Sequence, residues 1–147
     1  MQFDTKIALV IRTDLEAWQK LNIAAFLTSG IAAAFPECIG EPYEDGSETK
    51  YHALIGQPIL IYGADGAALS RALERALARN VRPAVYTEEM FTTTHDAANR
   101  AAVRAVVRAC GESIQLNPSC PLAVKFQPVD DLVDHLALGA HCDPDQI

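Results

Sequence analysis

Lys6-Ile-Ala-Leu-Val-Ile11, then Arg12-Thr-Asp-Leu-Glu-Ala-Trp-Gln-Lys20, then Ile23-Ala-Ala-Phe-Leu-Thr-Ser-Gly-Ile-Ala-Ala-Ala-Phe35: this stretch decides the fold. The unbroken apolar run after Lys6 suits a central strand covered on both faces. Residues 12–20 are polar and read as an elbow. Residues 23–35 carry only Thr28 and Ser29 as polar side chains, and a helix that is apolar all round is expected to be buried. Its small residues Ala24, Ala25, Ser29, Gly30 and Ala33 let it lie close to a sheet.

Working outward, Pro36 stops the helix, and a loop rich in acids and turn formers runs through Asp45-Gly46. Residues 51–55 read as a short edge strand or hairpin arm. Pro58 opens a second strong strand over 59–62, since proline is tolerated at a strand's first residue. Asp65 is a good N-cap for a helix to about Arg79 that buries Leu69, Leu73, Ala76 and Leu77, with Asn80 closing it in the left-handed conformation. Residues 81–87 are a third strand, 88–95 a polar segment, and 96–110 a helix with Arg100, Arg104 and Arg108 at four-residue spacing. A loop over 110–121 leads to a fourth strand at 122–126. Pro128 opens a last amphipathic helix with Val129, Leu132, Val133 and Leu136 on one face, before a tail at 140–147. Strands alternating with helices point to one α/β domain over residues 1–147, built on a mixed, largely parallel four-stranded sheet flanked by helices on both faces. Ligands of such sheets sit beyond the carboxyl ends of the strands. The loops at 12–22 and 88–95 therefore matter most.

The 147 residues suffice for one core, and an apolar half with about a fifth of the residues charged is ordinary for a soluble globular protein. The net charge of −7 makes the chain a poor match for a polyphosphate, so nucleic acid is not an expected partner. Only residues 65–108 carry a basic excess. The first apolar run is too short for a secretory signal, and the apolar helix is shorter than a membrane span of roughly 20 residues. A cytoplasmic protein without a membrane partner is expected, with Cys38, Cys110, Cys120 and Cys142 reduced. His135, His141 and Cys142 lack metal-ligand spacing, so neither metal nor cofactor is expected.

Residues 6–15, followed by Gln19-Lys20 and Ile23-Ala-Ala25, resemble the opening of type II peptidyl-tRNA hydrolases. Gln57-Pro-Ile-Leu-Ile61, the helix after it and residues 81–88 follow that family's strand–helix–strand order, and residues 122–138 resemble its closing strand and helix. The chain is more similar still, over nearly its whole length, to an uncharacterised domain family of the same fold, through Trp18-Gln-Lys-Leu-Asn22 and Thr87-Glu-Glu-Met-Phe-Thr92. The resemblance implies a four-stranded mixed sheet of the peptidyl-tRNA-hydrolase-II-like type and a homodimer. Against the hydrolase pattern, Lys20 keeps the first elbow lysine and Asn22 replaces the second. Ala24-Ala25-Phe26 and Thr28-Ser29 stand where the hydrolases have Ala-Ala-Gln and Ser-His, and Glu88-Glu-Met-Phe-Thr92 stands where they have Asp-Ala-Gly-Arg-Thr. The helix at 96–110 is an addition.

Lys20, Glu88 and Thr92 come from the two loops expected to converge. A lysine beside a carboxylate can hold a water or a substrate carbonyl, and a desolvated carboxylate can act as a base; an ion pair tying two loops together explains the same residues. His95, with Asp96 and Glu89 beside it, can shuttle protons near neutral pH, whereas a Thr94 or Asp96 that simply caps the next helix leaves His95 facing water. Trp18 offers a flat wall for a ligand or covers the first helix. Ser29 has no Gly-x-Ser-x-Gly elbow around it. The catalytic candidates are thus Lys20, Glu88, Thr92 and His95, and the ligand-binding candidates Trp18, Asn22, Ser29 and Glu89. The leading expectation is a domain that binds a small polar ligand without the parent activity. Its rivals are a peptidyl-tRNA hydrolase or related ester or amide hydrolase, whose arginine stripes (Arg71, Arg75, Arg79 and Arg100, Arg104, Arg108) grip tRNA, and a dimeric interaction module without catalysis.

Overall fold

The computed structural model describes residues 5–105 and the backbone of residues 122–126. Its first elements are strand β1 (Lys6–Arg12), helix α1 (Ala17–Ala34), and the short strands β2 (Tyr43–Glu44) and β3 (Lys50–Tyr51). Strand β4 (Ile59–Ala64), helix α2 (Gly66–Ala78), strand β5 (Ala84–Val85), helix α3 (Asp96–Ala105) and strand β6 (Leu122–Phe126) complete the order. The main sheet runs β4-β1-β6-β5. β1 and β4 pair in parallel, and β6 is antiparallel to both β1 and β5, so β4, β1 and β5 run one way and β6 alone against them. The sheet is mixed, as expected; because the closing strand inserts between β1 and β5, only the β1–β4 ladder is a parallel one.

Alternation along β1 divides the core. Ile7, Leu9 and Ile11 face α1 and meet Ile23, Leu27 and Ile31, with Cys38 and Tyr86 at the margins. Val10 faces the other way, onto Ala68, Leu69, Ala72, Leu73 and Ala76 of α2. The period of two in a strand and the i, i+4 stripes of two helices thus produce helices on both faces.

The helix boundaries have identifiable causes. α1 begins at Ala17, inside the stretch expected to be an elbow, because the Gln19 side chain accepts from the Glu16 amide at 2.9 Å and starts the helix early. Only Ile23, Leu27 and Ile31 of α1 are buried, so the expectation of a helix covered all round is corrected: one face lies on the sheet and the opposite face is open. α2 starts where expected, with Asp65 Oδ1 accepting from the Ala68 amide at 2.7 Å. Asn80 follows it at φ 58, the left-handed closure read from the sequence. Removing the cap (Asp65→Ala) is expected to lower stability by about 1 kcal/mol in a urea melt, with an unchanged slope.

The expected strand at 81–87 shrinks to Ala84–Val85, with Pro83, which has no N–H to give to a ladder, just before it. Of the two expectations for residues 51–55, the hairpin arm is the one found, though shorter: Tyr51 pairs with Tyr43, while Ile55 makes a single bridge to Ile39. Asp45 closes that hairpin, accepting from the amides of Ser47 and Thr49 and from the Tyr51 hydroxyl. These donors hold its carboxyl below the ordinary aspartate range. The continuation of α3 to residue 110 with Arg108, the loop at 110–121, the last helix, the tail, and Cys110, Cys120, Cys142, His135 and His141 lie outside the described residues. Among the described residues, no helix is long and apolar enough to cross a membrane.

Candidate functional site

β1 ends on Arg12, the charge that closes its apolar run, and β5 leads through Tyr86 and Thr87 into a 3-10 turn at Glu88–Phe91. Arg12 Nη1 lies 3.3 Å from Glu88 Oε2, bringing the two loops together across 76 positions. The other side of the guanidinium grips Asp14: Nε donates to Oδ1 at 2.8 Å and Nη2 to Oδ2. The Arg12 side chain is only 17% exposed, whereas Asp14 and Glu88 are about 60% exposed. A largely covered cation thus presents two solvated carboxylates. The hydrogen bond with Asp14 raises the Arg12 pKa further, against desolvation, and the same bond holds the Asp14 carboxyl below its ordinary value.

Because the Asp14 pKa is depressed on folding, the contribution of this pair is complete above the unfolded aspartate value and is lost as pH falls through the lower folded value. Arg12→Gln is expected to move the Asp14 titration upward in a carboxyl-detected NMR experiment. An unmoved Asp14 would mean that Arg12 does not hold it in solution.

Lys20, on the first turns of α1, reaches back to donate from Nζ to the Thr13 carbonyl at 2.8 Å. It therefore belongs to the same corner, but its partner is the backbone beside Arg12 rather than Glu88. Two helical positions on, Asn22 Oδ1 accepts from the Tyr86 hydroxyl at 3.2 Å. Tyr86 is 4% exposed, and burial raises its phenol pKa. Its neighbour Thr87 is equally buried, and among the described residues its hydroxyl is the one buried side-chain oxygen without a hydrogen-bond partner. A ladder of rings lines the same corner: Trp18 meets Phe91 edge-on at 5.6 Å, Phe91 meets Tyr86 at 5.1 Å, and Tyr86 meets Phe26 at 5.6 Å.

The structure gathers Lys20, Glu88, Asn22 and Trp18 at the carboxyl ends of β1 and β5. Thr92 and His95 serve their own segment: the Thr92 hydroxyl donates to the Glu89 carbonyl at 2.8 Å, and His95 Nδ1 accepts from the Ala98 amide at 3.2 Å at the head of α3. The cap of α3 is thus His95 itself, while Asp96 pairs with Arg100 one turn on. Glu89 stands in the 3-10 turn, and Ser29 lies further along α1 on its open side, donating to the Phe26 carbonyl at 2.7 Å. Sequence reasoning passed over Arg12 and Tyr86. Arg12 had one usable signal, a single charge ending an apolar strand at its carboxyl end. Among the described residues, no cluster of three or more His, Cys, Asp or Glu is spaced to hold a metal.

A family model described as protein of unknown function (DUF2000) matches residues 5–111. The chain belongs to that family. The matched span of the DUF2000 model includes every residue of the corner described above. A solved structure described as a protein of unknown function from Agrobacterium tumefaciens strain C58 is 41% identical, covers 94% of this chain and 96% of its own, and superposes with a TM-score of 0.79. A search of the curated proteins finds no match. At that identity and coverage the DUF2000 chain shares the fold of the solved structure.

Proposed function

We propose that this domain binds a small polar ligand bearing a carbonyl or carboxyl group at the corner formed by Arg12, Lys20, Asn22 and Glu88, and that its scaffold is kin to the type II peptidyl-tRNA hydrolases. The ligand reading is carried by the Arg12–Glu88 contact at 3.3 Å, which joins the loops after β1 and β5. Lys20 has three ammonium hydrogens, one of which goes to the Thr13 carbonyl, so two remain to meet a ligand oxygen. Glu88, more than half exposed, is available to accept from an N–H or O–H. Open α/β sheets hold ligands beyond the carboxyl ends of their strands, which is where these groups stand.

Kinship of the scaffold is supported by the element order, by the parallel β1–β4 pair and by an antiparallel closing strand beside β1. Nothing favours a polynucleotide at this corner, where Asp14, Glu16, Glu88 and Glu89 outnumber the two cations. The test is an amide-resolved NMR titration with acetate, acetamide and N-acetylated amino acids at millimolar concentration. Shifts clustering on residues 12–22 and 86–88, and lost in Lys20→Ala, are expected. Shifts elsewhere, or none, would dismiss the reading.

A further inference from the structure

Thr87 carries two poorly served hydrogen-bond donors on one buried residue. Its hydroxyl finds no partner among the described residues, and water does not reach it. Its amide donates to a sulfur, Met90 Sδ, at 3.2 Å, and a thioether is a weak acceptor. The Met90 side chain thus folds back over its own turn, while the Met90 amide donates to the Thr87 carbonyl at 3.1 Å. Native proteins keep few buried donors unpaired, and those they keep call for a cause. A ligand does not supply the partner here, because an oxygen that water cannot touch is closed to a larger molecule as well. The missing acceptor has to arise within the protein.

We infer that Met90 is a site of reversible oxidation, and that its sulfoxide oxygen is the acceptor Thr87 lacks. The step balances with hydrogen peroxide as the oxidant. The sulfur lone pair attacks one peroxide oxygen, and an S–O bond forms as the O–O bond breaks. The departing hydroxide takes the proton from the sulfur-bound oxygen and leaves as water, so the thioether has lost two electrons and the peroxide has gained them. A thiol-dependent sulfoxide reductase reverses the change, releasing the oxygen as water while two thiols become a disulfide.

The surroundings suit this residue to the role. Met90 is partly buried, packed against the cluster that holds Tyr86. A sulfoxide placed in a core ordinarily leaves a strong acceptor without a donor. At Met90 the donor is already in place, since the Thr87 amide faces the sulfur and the hydroxyl of the same residue can turn to the same oxygen. The gap of 3.2 Å leaves no room for an interposed oxygen, so the turn at Glu88–Phe91 has to shift against β5. That turn carries Glu88 to Arg12 and Phe91 to Trp18, and both contacts feel the change. The inference does not rest on the ligand reading, because the modification and its effects are measured with no ligand present.

The test is treatment of the full chain with millimolar hydrogen peroxide, followed by peptide mass spectrometry. Met90 is the only methionine besides Met1, and Trp18 is the only tryptophan, so both readouts are unambiguous. Met90 is expected to gain one oxygen while circular dichroism shows the chain still folded. Because the Thr87 donors stand on one side of the sulfur, one sulfoxide epimer is expected in at least about threefold excess, read with reductases that each accept a single epimer. Thr87→Val keeps the amide and replaces an unpaired hydroxyl by a methyl, a change that folded chains tolerate; it is expected to lower that excess. Trp18 emission is expected to change on oxidation and to recover on reduction. In Met90→Leu, which retains all four cysteines, it should not respond, which separates the effect from thiol oxidation. A Met90 that resists peroxide, a wild type that unfolds when oxidised, equal epimers in wild type, the same excess in Thr87→Val, or a Trp18 response undiminished in Met90→Leu would each overturn the inference.

Discussion

Leu9→Ala is expected to lower the free energy of unfolding by about 2–5 kcal/mol, the usual range for deleting a buried leucine side chain. Leu9 sits mid-strand in β1 at 1% exposure, paired with Ile61 on one side and Ala123 on the other, and packed beneath Ile23, Leu27 and Ile31. Backbone ladders on both flanks resist collapse around the lost methyls, so most of the cavity should persist. The control is Leu21→Ala on the open face of α1, where 73% exposure leaves little to lose. It should shift stability by no more than about 0.5 kcal/mol. Denaturant melts with equal slopes check both. Equal losses in the two variants would mean that α1 is covered on both sides.

Gly63→Val is expected to disturb the ligand corner from outside it. A Cβ at Gly63 would stand 2.7 Å from Thr13 Cγ2, closer than such atoms come without something shifting. Thr13 is tied at both ends, its amide to the Ala64 carbonyl at 3.1 Å and its carbonyl to Lys20 Nζ. Relief of the clash turns the Thr13 side chain about χ1 or moves the β1–α1 connection, and the second carries the anchor of Lys20 with it. A cost of about 1–3 kcal/mol is expected, together with loss of the Lys20-centred shifts in the ligand titration. Gly46→Ala, with open space around its added carbon, should change neither. Normal binding by Gly63→Val would show that the Thr13 side chain turns aside and leaves the anchor of Lys20 in place.

The sequence carried some of these features plainly and others not at all. α2 was legible because local signals agreed: an aspartate cap, an apolar stripe and an asparagine able to close the helix left-handed. β1 was legible because burial on both faces leaves an unbroken apolar run. α1 misled in two ways. Its apolar composition suggested enclosure, yet a sheet covers only one side of a helix laid on it, and the composition of Trp18, Leu21 and Phe26 does not reveal which side that is. Its start was read late because Glu16 and Gln19 form their cap through side-chain geometry, not through a serine or aspartate that announces itself. The corner was half legible. Lys20 and Glu88 were placed together from strand order alone, but the cation that reaches Glu88 is Arg12, since the lysine turns back to Thr13. His95 and Thr92 carried suggestive chemistry and proved to spend their nitrogen and hydroxyl on neighbouring backbone.

The place of β6 between β1 and β5 bears on how the protein is made. Within the main sheet, β5 pairs with β6 alone. On the ribosome, β1, α1, β4 and α2 can emerge and settle as a parallel pair with a helix on each side, but β5 must wait, unzipped, for a strand about forty residues further along the message. Loop closure over such distances is slow relative to local contacts. Until β6 is made, the flank of β1 is left bare, a row of unpaired backbone groups open to pairing with another chain.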